Sequence, residues 1–200
     1  TVVAGDQTYK LMLIPSGILN PRVQSVITGG VVLNPPSILQ EIDGLLERGV
    51  QVGGNLMISD RAHVIFPWHI AEDKAMDASH SSGEAIGSTQ RGIGPCYRDK
   101  VGRTQAIRLG DMYRDNFRER IEHVVAHKKQ WMATLNGHGG PALDAAQIYE
   151  EYKGYAERLK PYVADTTAFL LDGLEDGKRL LFEGAQGALL DIDHGTFPFV

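Results

Sequence analysis

Cysteine is nearly absent from the 200-residue chain: Cys96 stands alone, which excludes an intramolecular disulfide and fits a reducing compartment. No Cys-x-x-Cys pair and no His-Glu-x-x-His occur, so the common zinc motifs are missing. No apolar run exceeds four residues, as in Leu11–Ile14, so no segment reads as a membrane span. Neither a Walker A loop nor a dinucleotide Gly-x-Gly-x-x-Gly spacing is found, and there is no repeat or low-complexity tract. Positive charge is in deficit, 20 Lys and Arg against 25 Asp and Glu, and a net charge of −5 argues against a polyanion-binding surface. The start at Thr1 carries no initiator Met and no signal segment, from which a cytoplasmic chain cut from a longer one is expected.

What the chain has in plenty is glycine, 23 residues, gathered in short clusters between periodic segments. Val23–Ile27 and Val31–Leu33 read as short strands around Thr28-Gly29-Gly30. Asn34-Pro35 is a helix cap followed by Pro at the first helical position. Ile38, Leu39, Ile42, Leu45 and Leu46 then recur at helical spacing up to Gly49. Leu56–Ile58 and His63–Phe66 predict further strands, and Pro67 opens a helix to about Ala78. A long helical pattern covers Met112–Leu135, with Phe117, Ile121, Val124, Val125, Met132 and Leu135 on one side, and Asn136–Pro141 breaks it. Helices are predicted over Leu143–Leu159 and Tyr162–Leu174, and a buried strand over Arg179–Phe182. Strands alternating with helices predict an α/β fold with a mainly parallel central sheet flanked by helices. No internal boundary is found, so residues 1–200 read as a single domain.

Two glycine-rich polar segments carry the chemistry. Gly87–Arg103 holds a local charge of +3 between residues 91 and 103, against −8 for the remainder. Gly92 and Gly94 would let the backbone approach a ligand, Ser88 and Thr89 offer hydroxyls, and the arginines offer planar forks for phosphate oxygens. The alternative is a turn-rich loop whose cations are solvated or paired with carboxylates. The second segment, Leu181–Thr196, runs from the predicted strand into Glu183-Gly184-Ala185-Gln186-Gly187, which would set polar groups at the carboxyl edge of a sheet. Gln186 can both donate to and accept from the edge of a base. Asp191, Asp193 and His194 read either as a metal cluster or as turn and cap residues, the latter favoured because no distant third ligand closes a site. Cys96, in the basic loop, is either a thiol of lowered pKa or a small space-filling residue, with the second favoured. The other histidines, His63 and His69 among them, read as surface or helix residues, and Trp68 and Trp131 as core or half-buried.

Gly92-Ile93-Gly94-Pro95-Cys96-Tyr97-Arg98-Asp99-Lys100-Val101-Gly102-Arg103 resembles the Gly-Ile-Gly-Pro-x-Tyr-x-x-Lys-x-x-Arg signature of the adenylosuccinate synthetase family. Phe182–Gly187 and Leu190–Thr196 resemble its second hallmark, and Ile14–Leu19 and Gly30–Pro35 its early strand segments in the same order. The resemblance implies a P-loop-NTPase-related α/β fold and ligation of IMP to L-aspartate at the expense of GTP, with magnesium. In that chemistry a carboxylate base takes the N1 proton of IMP, O6 attacks the γ-phosphate, and the aspartate amine displaces phosphate from 6-phosphoryl-IMP while a His stabilises O6. Carried over by position, Thr89 binds the IMP phosphate, Gln186 contacts the nucleotide near its base, and Lys100 is an active-site lysine. Arg103 reaches the IMP site of the other subunit of a homodimer, and Thr1–Lys10 is a loop that orders when IMP binds. The resemblance also implies what is missing: the catalytic Asp, the phosphate loop and the His precede Thr1, and the aspartate and guanine segments follow Val200. Magnesium ligands are expected outside the chain, which is expected to be inactive by itself. Gln90 replaces a usual Gly, and the text around Gln105-Ala106 departs from the family pattern. The alternative reading is a non-catalytic nucleotide- or phosphate-binding α/β module.

Overall fold

The computed structural model describes residues 1–79, 89–136, 142–184 and 186–200. It opens with an antiparallel hairpin, β1 (Val2–Ala4) and β2 (Gln7–Tyr9). Arg48 ties the hairpin down, its guanidinium donating to Thr8 O at 3.0 Å and lying 3.8 Å from the centre of the Tyr9 ring. The parallel sheet begins with β3 (Ser25–Ile27) and β4 (Val32–Leu33), which lead into helix α1 (Pro35–Glu47). Asn34 caps α1 as its sequence implies, its side chain accepting from Ser37 N at 3.1 Å. Ile38, Leu39, Ile42 and Leu45 are buried and Gly49, at φ +77°, ends the helix, while Leu46 lies half exposed at the margin of the stripe.

Strands β5 (Leu56–Ser59) and β6 (His63–Val64) follow and run parallel to β3 and β4. The two chain segments therefore pair twice, interrupted on one side by Thr28–Val31 and on the other by Asp60–Ala62. The register survives the interruption: Ser25 faces Leu56 and Val32 faces His63, 31 residues apart in both cases. Helices α2 (Pro67–Ser79), α3 (Ile93–Gly102), α4 (Phe117–Asn136) and α5 (Ala145–Leu159) come next. Strand β7 (Val163–Ala164) then returns beside β5, giving the order β3-β5-β7, and α6 (Thr166–Glu175) follows. Phe66 stacks at 4.3 Å on both Trp68 and Tyr152 in the core, and Trp131 is half buried.

Three expectations are corrected. The helix expected from Met112 begins at Phe117, because the Asp111 carboxylate accepts from Arg108 N at 2.9 Å and closes a separate 3-10 turn over Leu109–Tyr113. The stretch from Tyr162 is not continuously helical. It extends through β7, and Asp165 restarts the helix by accepting from Thr167 N and Ala168 N. Arg179–Phe182 is not a buried strand: no described strand lies beside it, and Leu181 and Phe182 are 92% and 82% exposed. The break expected over Asn136–Pro141 falls largely outside the described residues, with α4 reaching Asn136.

Candidate functional site

The carboxyl ends of β3, β5 and β7 meet at one edge of the sheet, the position where open α/β sheets present their ligand crevices. Gly29, just after β3, lies so close to Ser59 and Arg61 that an added Cβ would stand 3.1 Å from Arg61 Cβ. Arg61 forms a two-point contact with Asp165, at 3.3 and 3.1 Å, which locks the β5 and β7 ends together.

The signature Gly92–Arg103 is helix α3 with its two ends. Its Lys100 ammonium donates to Gly29 O at 3.0 Å and Gly30 O at 2.8 Å, and the Tyr97 hydroxyl donates to Gly30 O at 3.2 Å. Burial lowers the Lys100 pKa, and the nearby Arg108 adds to it. The two residues thus fasten α3 to the loop at the end of β3. Gly92 opens α3 at φ +77° and donates its N–H to Asp73 Oδ2 at 2.8 Å. A Cβ there would stand 2.9 Å from Ile70 N, so the close approach that Gly92 permits is to α2 and not to a ligand.

Arg98, expected as part of a ligand-facing cation cluster, instead contacts Glu72 and lies 4.6 Å from the centre of the Trp131 ring. Inside that contact is a buried set of charges. Lys128 Nζ stands 2.8 Å from Glu72 Oε1 and 2.7 Å from Asp99 Oδ2, all three side chains being less than a tenth exposed. His69 completes the set: Phe66 N donates to its Nδ1 at 2.9 Å, the Trp68 indole N–H donates to its Nε2 at 3.1 Å, and Nε2 stands 3.0 Å from Asp99 Oδ2. Burial keeps His69 below its usual pKa and therefore neutral. Burial by itself would raise Asp99; hydrogen bonds from His69 and Lys128 outweigh it and hold the carboxyl below its usual range. Burial raises Glu72, against the pull of Lys128 and Arg98.

His63 is buried in β6, facing Lys100, Arg108 and Asp111, and its Nδ1 has no hydrogen-bond partner. Burial, then Lys100 and Arg108, lower its pKa to about 4. His63 is thus a buried strand residue rather than a surface or helix one, while His69 is a helix residue as expected, on the buried side of α2. Cys96 packs with Val32 and Ile65 and donates to Val64 O at 3.4 Å. Burial pushes its thiol up to about 12, which overturns the lowered pKa and leaves the space-filling role.

Thr89 and Arg91 are exposed beside the turn that opens α3, and Ser88 lies outside the described residues. Gln90 adopts φ +53°, a left-handed backbone that favours glycine. Arg103 is exposed at the opposite end of α3, also left-handed at φ +70°. The ten residues of α3 itself span roughly 15 Å at 1.5 Å per residue. Gln186 is exposed on the final segment, not at the end of a buried strand, and no described contact joins it to Thr89, Lys100 or Arg103. That segment is tied back through Glu183, which accepts from Ser16 N and Ser16 Oγ. The Asp191 carboxylate accepts from the N–H groups of Asp193 and His194, the turn-capping arrangement.

The family model described as adenylosuccinate synthetase matches residues 1–200. The chain belongs to the adenylosuccinate synthetase family. It is 48% identical over 202 residues to the adenylosuccinate synthetase of Caldanaerobacter subterraneus subsp. tengcongensis and 45% over 201 residues to that of Moorella thermoacetica. All of this chain is covered in both matches, and 46% of each relative, so the chain spans just under half their length. A fully ligated adenylosuccinate synthetase from Plasmodium falciparum has the same fold, with a TM-score of 0.84, 32% identity, and coverage of 100% of this chain and 45% of that one. Synthetases of this family are ligases of AMP biosynthesis. Within that frame the buried Glu72, Asp99 and Lys128 are the residues that sequence reading missed. Only the His69-x-x-Glu72 spacing, one helical turn, hinted that Glu72 shares a face with His69.

Proposed function

We propose that these 200 residues are one partial domain, the IMP-binding middle part of a cytoplasmic adenylosuccinate synthetase that joins IMP and L-aspartate with GTP hydrolysis through 6-phosphoryl-IMP. What carries the reading is the match of the whole chain to synthetases, with α3 seated at the carboxyl edge of the sheet. Thr89 is the hydroxyl offered to the IMP phosphate and Gln186 the amide offered near the base. Lys100, held on the Gly29 and Gly30 carbonyls, is the active-site lysine and shapes that loop. Arg103 serves the partner subunit's nucleotide in a homodimer. Its distance from Thr89 along α3 favours two different nucleotides over one, and the neighbouring Val101, 80% exposed, gives the helix an apolar face for a subunit contact. The N1 base, the O6-stabilising His and the main GTP contacts are contributed from outside these residues, and the 200 residues alone are inactive.

Magnesium is expected with GTP. Its ligands are expected outside these 200 residues, and no step is routed through the ion. The test uses a full-length synthetase carrying this segment. Adenylosuccinate should form only when IMP, GTP, aspartate and magnesium are all present, and product without GTP would refute the reading. For Arg103, mixing an Arg103→Leu subunit with one inactivated at Thr89 should recover activity in the mixed dimer. No recovery would return Arg103 to its own subunit.

A further inference from the structure

Three helices meet on charges from which water is excluded. Glu72 comes from α2, Asp99 from α3 and Lys128 from α4, and Arg98 of α3 closes the outer side on Glu72. With His69 neutral, two carboxylates face two cations and the set balances. Without Lys128 the two carboxylates would confront each other, with the half-exposed Arg98 compensating Glu72 alone. Leaving a buried charge uncompensated is costly, so α3 must shift or a carboxyl must take a proton. The displaced element would be the one that bears the signature. Lys100 follows Asp99 directly, Arg103 ends the same helix, and at the other end Gly92 hangs on Asp73 three residues after Thr89.

We propose that Lys128 is a positioning residue for substrate binding: through Asp99 and Glu72 it sets the rotation of α3, and so the places of Thr89, Lys100 and Arg103. The inference rests on the IMP reading above. It needs no contact between Lys128 and substrate, and the 3% exposure of the Lys128 side chain leaves no room for one.

The experiment is steady-state kinetics of a full-length synthetase carrying this segment, with IMP and GTP varied in turn. Lys128→Met should raise KM for IMP tenfold or more and leave KM for GTP within twofold. Adding Asp99→Asn restores the charge balance, since Glu72 then faces Arg98. The double variant should return to within threefold of the parental KM. Lowering the pH from 8 to 6 should bring the single variant's KM down, because a proton on Glu72 or Asp99 has the same effect. The other groups facing the set, His69 from α2 and Arg98 from α3, remain in both variants. Lys128→Arg keeps the charge and secures the fold, but its broader fork displaces Asp99 and should raise KM for IMP at least threefold. Parental KM values with a lower kcat, the result of fewer folded sites, would reduce Lys128 to a stabilising residue and overturn the inference alone. A parent enzyme unable to ligate IMP would overturn the functional reading and this inference with it.

Discussion

Ser16 and Glu183, 167 residues apart, are joined twice: the Ser16 N–H donates to Glu183 Oε2 at 3.0 Å and its hydroxyl to the same oxygen at 2.7 Å. The pair draws together two motifs from opposite ends of the chain, Ile14–Leu19 and Phe182–Gly187. Leu181 and Phe182 contribute little burial, so the carboxylate is the principal tie of this segment. Glu183→Ala should therefore speed amide exchange across residues 181–184. Because the contact is exposed, the unfolding free energy from urea titration should fall by no more than about 1 kcal/mol. Unchanged exchange would show that the segment is held by something else.

Gly92 and Gly94 look alike in the sequence but should respond oppositely to alanine. At Gly92 the backbone is left-handed and a Cβ would press on Ile70 N and the His69 carbonyl carbon. Gly92→Ala should cost about 2–3 kcal/mol in denaturant unfolding, strain and displacement together. A Cβ on Gly94 meets nothing within 4 Å, and Gly94→Ala should be neutral or stabilise by up to about 1 kcal/mol. Equal losses at the two positions would count against the docking of α3 on α2.

His63 supplies a pH dependence whose sign follows from its surroundings. Folded, its pKa is lowered to about 4; unfolded, it returns to its ordinary 6.5. Between these values the unfolded chain binds more protons, so stability is full above about pH 6.5 and falls as the pH drops towards 4. His69, also lowered, acts in the same direction. Urea midpoints of the parent and of His63→Gln, measured from pH 7 to pH 4.5, should show a shallower decline in the variant. Parallel curves would remove His63 as a source of the acid sensitivity.

Local chemistry explains which parts were legible. Asn34, Pro35 and Gly49 write α1 into the sequence because caps and stops act over a few residues. The parallel strands were legible from β-branched runs between turns. β7 was not, since two residues between a 3-10 turn and a helix leave no period to read, although Asp165 before Thr166 is a cap signal that could have marked the break. Arg179–Phe182 reads as a buried strand because an apolar run says that a segment can be covered, not what covers it. The same limit applies to the site. Lys100 and Arg103 stood out by motif, yet Lys128, which meets Asp99 across 29 residues, could be found only by folding the chain.

The sheet keeps its 31-residue register on both sides of a break, and the two interrupting loops are therefore bound to one another. One residue added to Thr28–Val31 alone would slide β4 along β6 by a single position and turn Leu33, fully buried, towards the opposite face. It would also carry Gly29 and Gly30 out of reach of Lys100. Only a matching insertion in Asp60–Ala62 would cancel the slip. The lengths of these two loops are coupled through the register, and changing one obliges the other to follow.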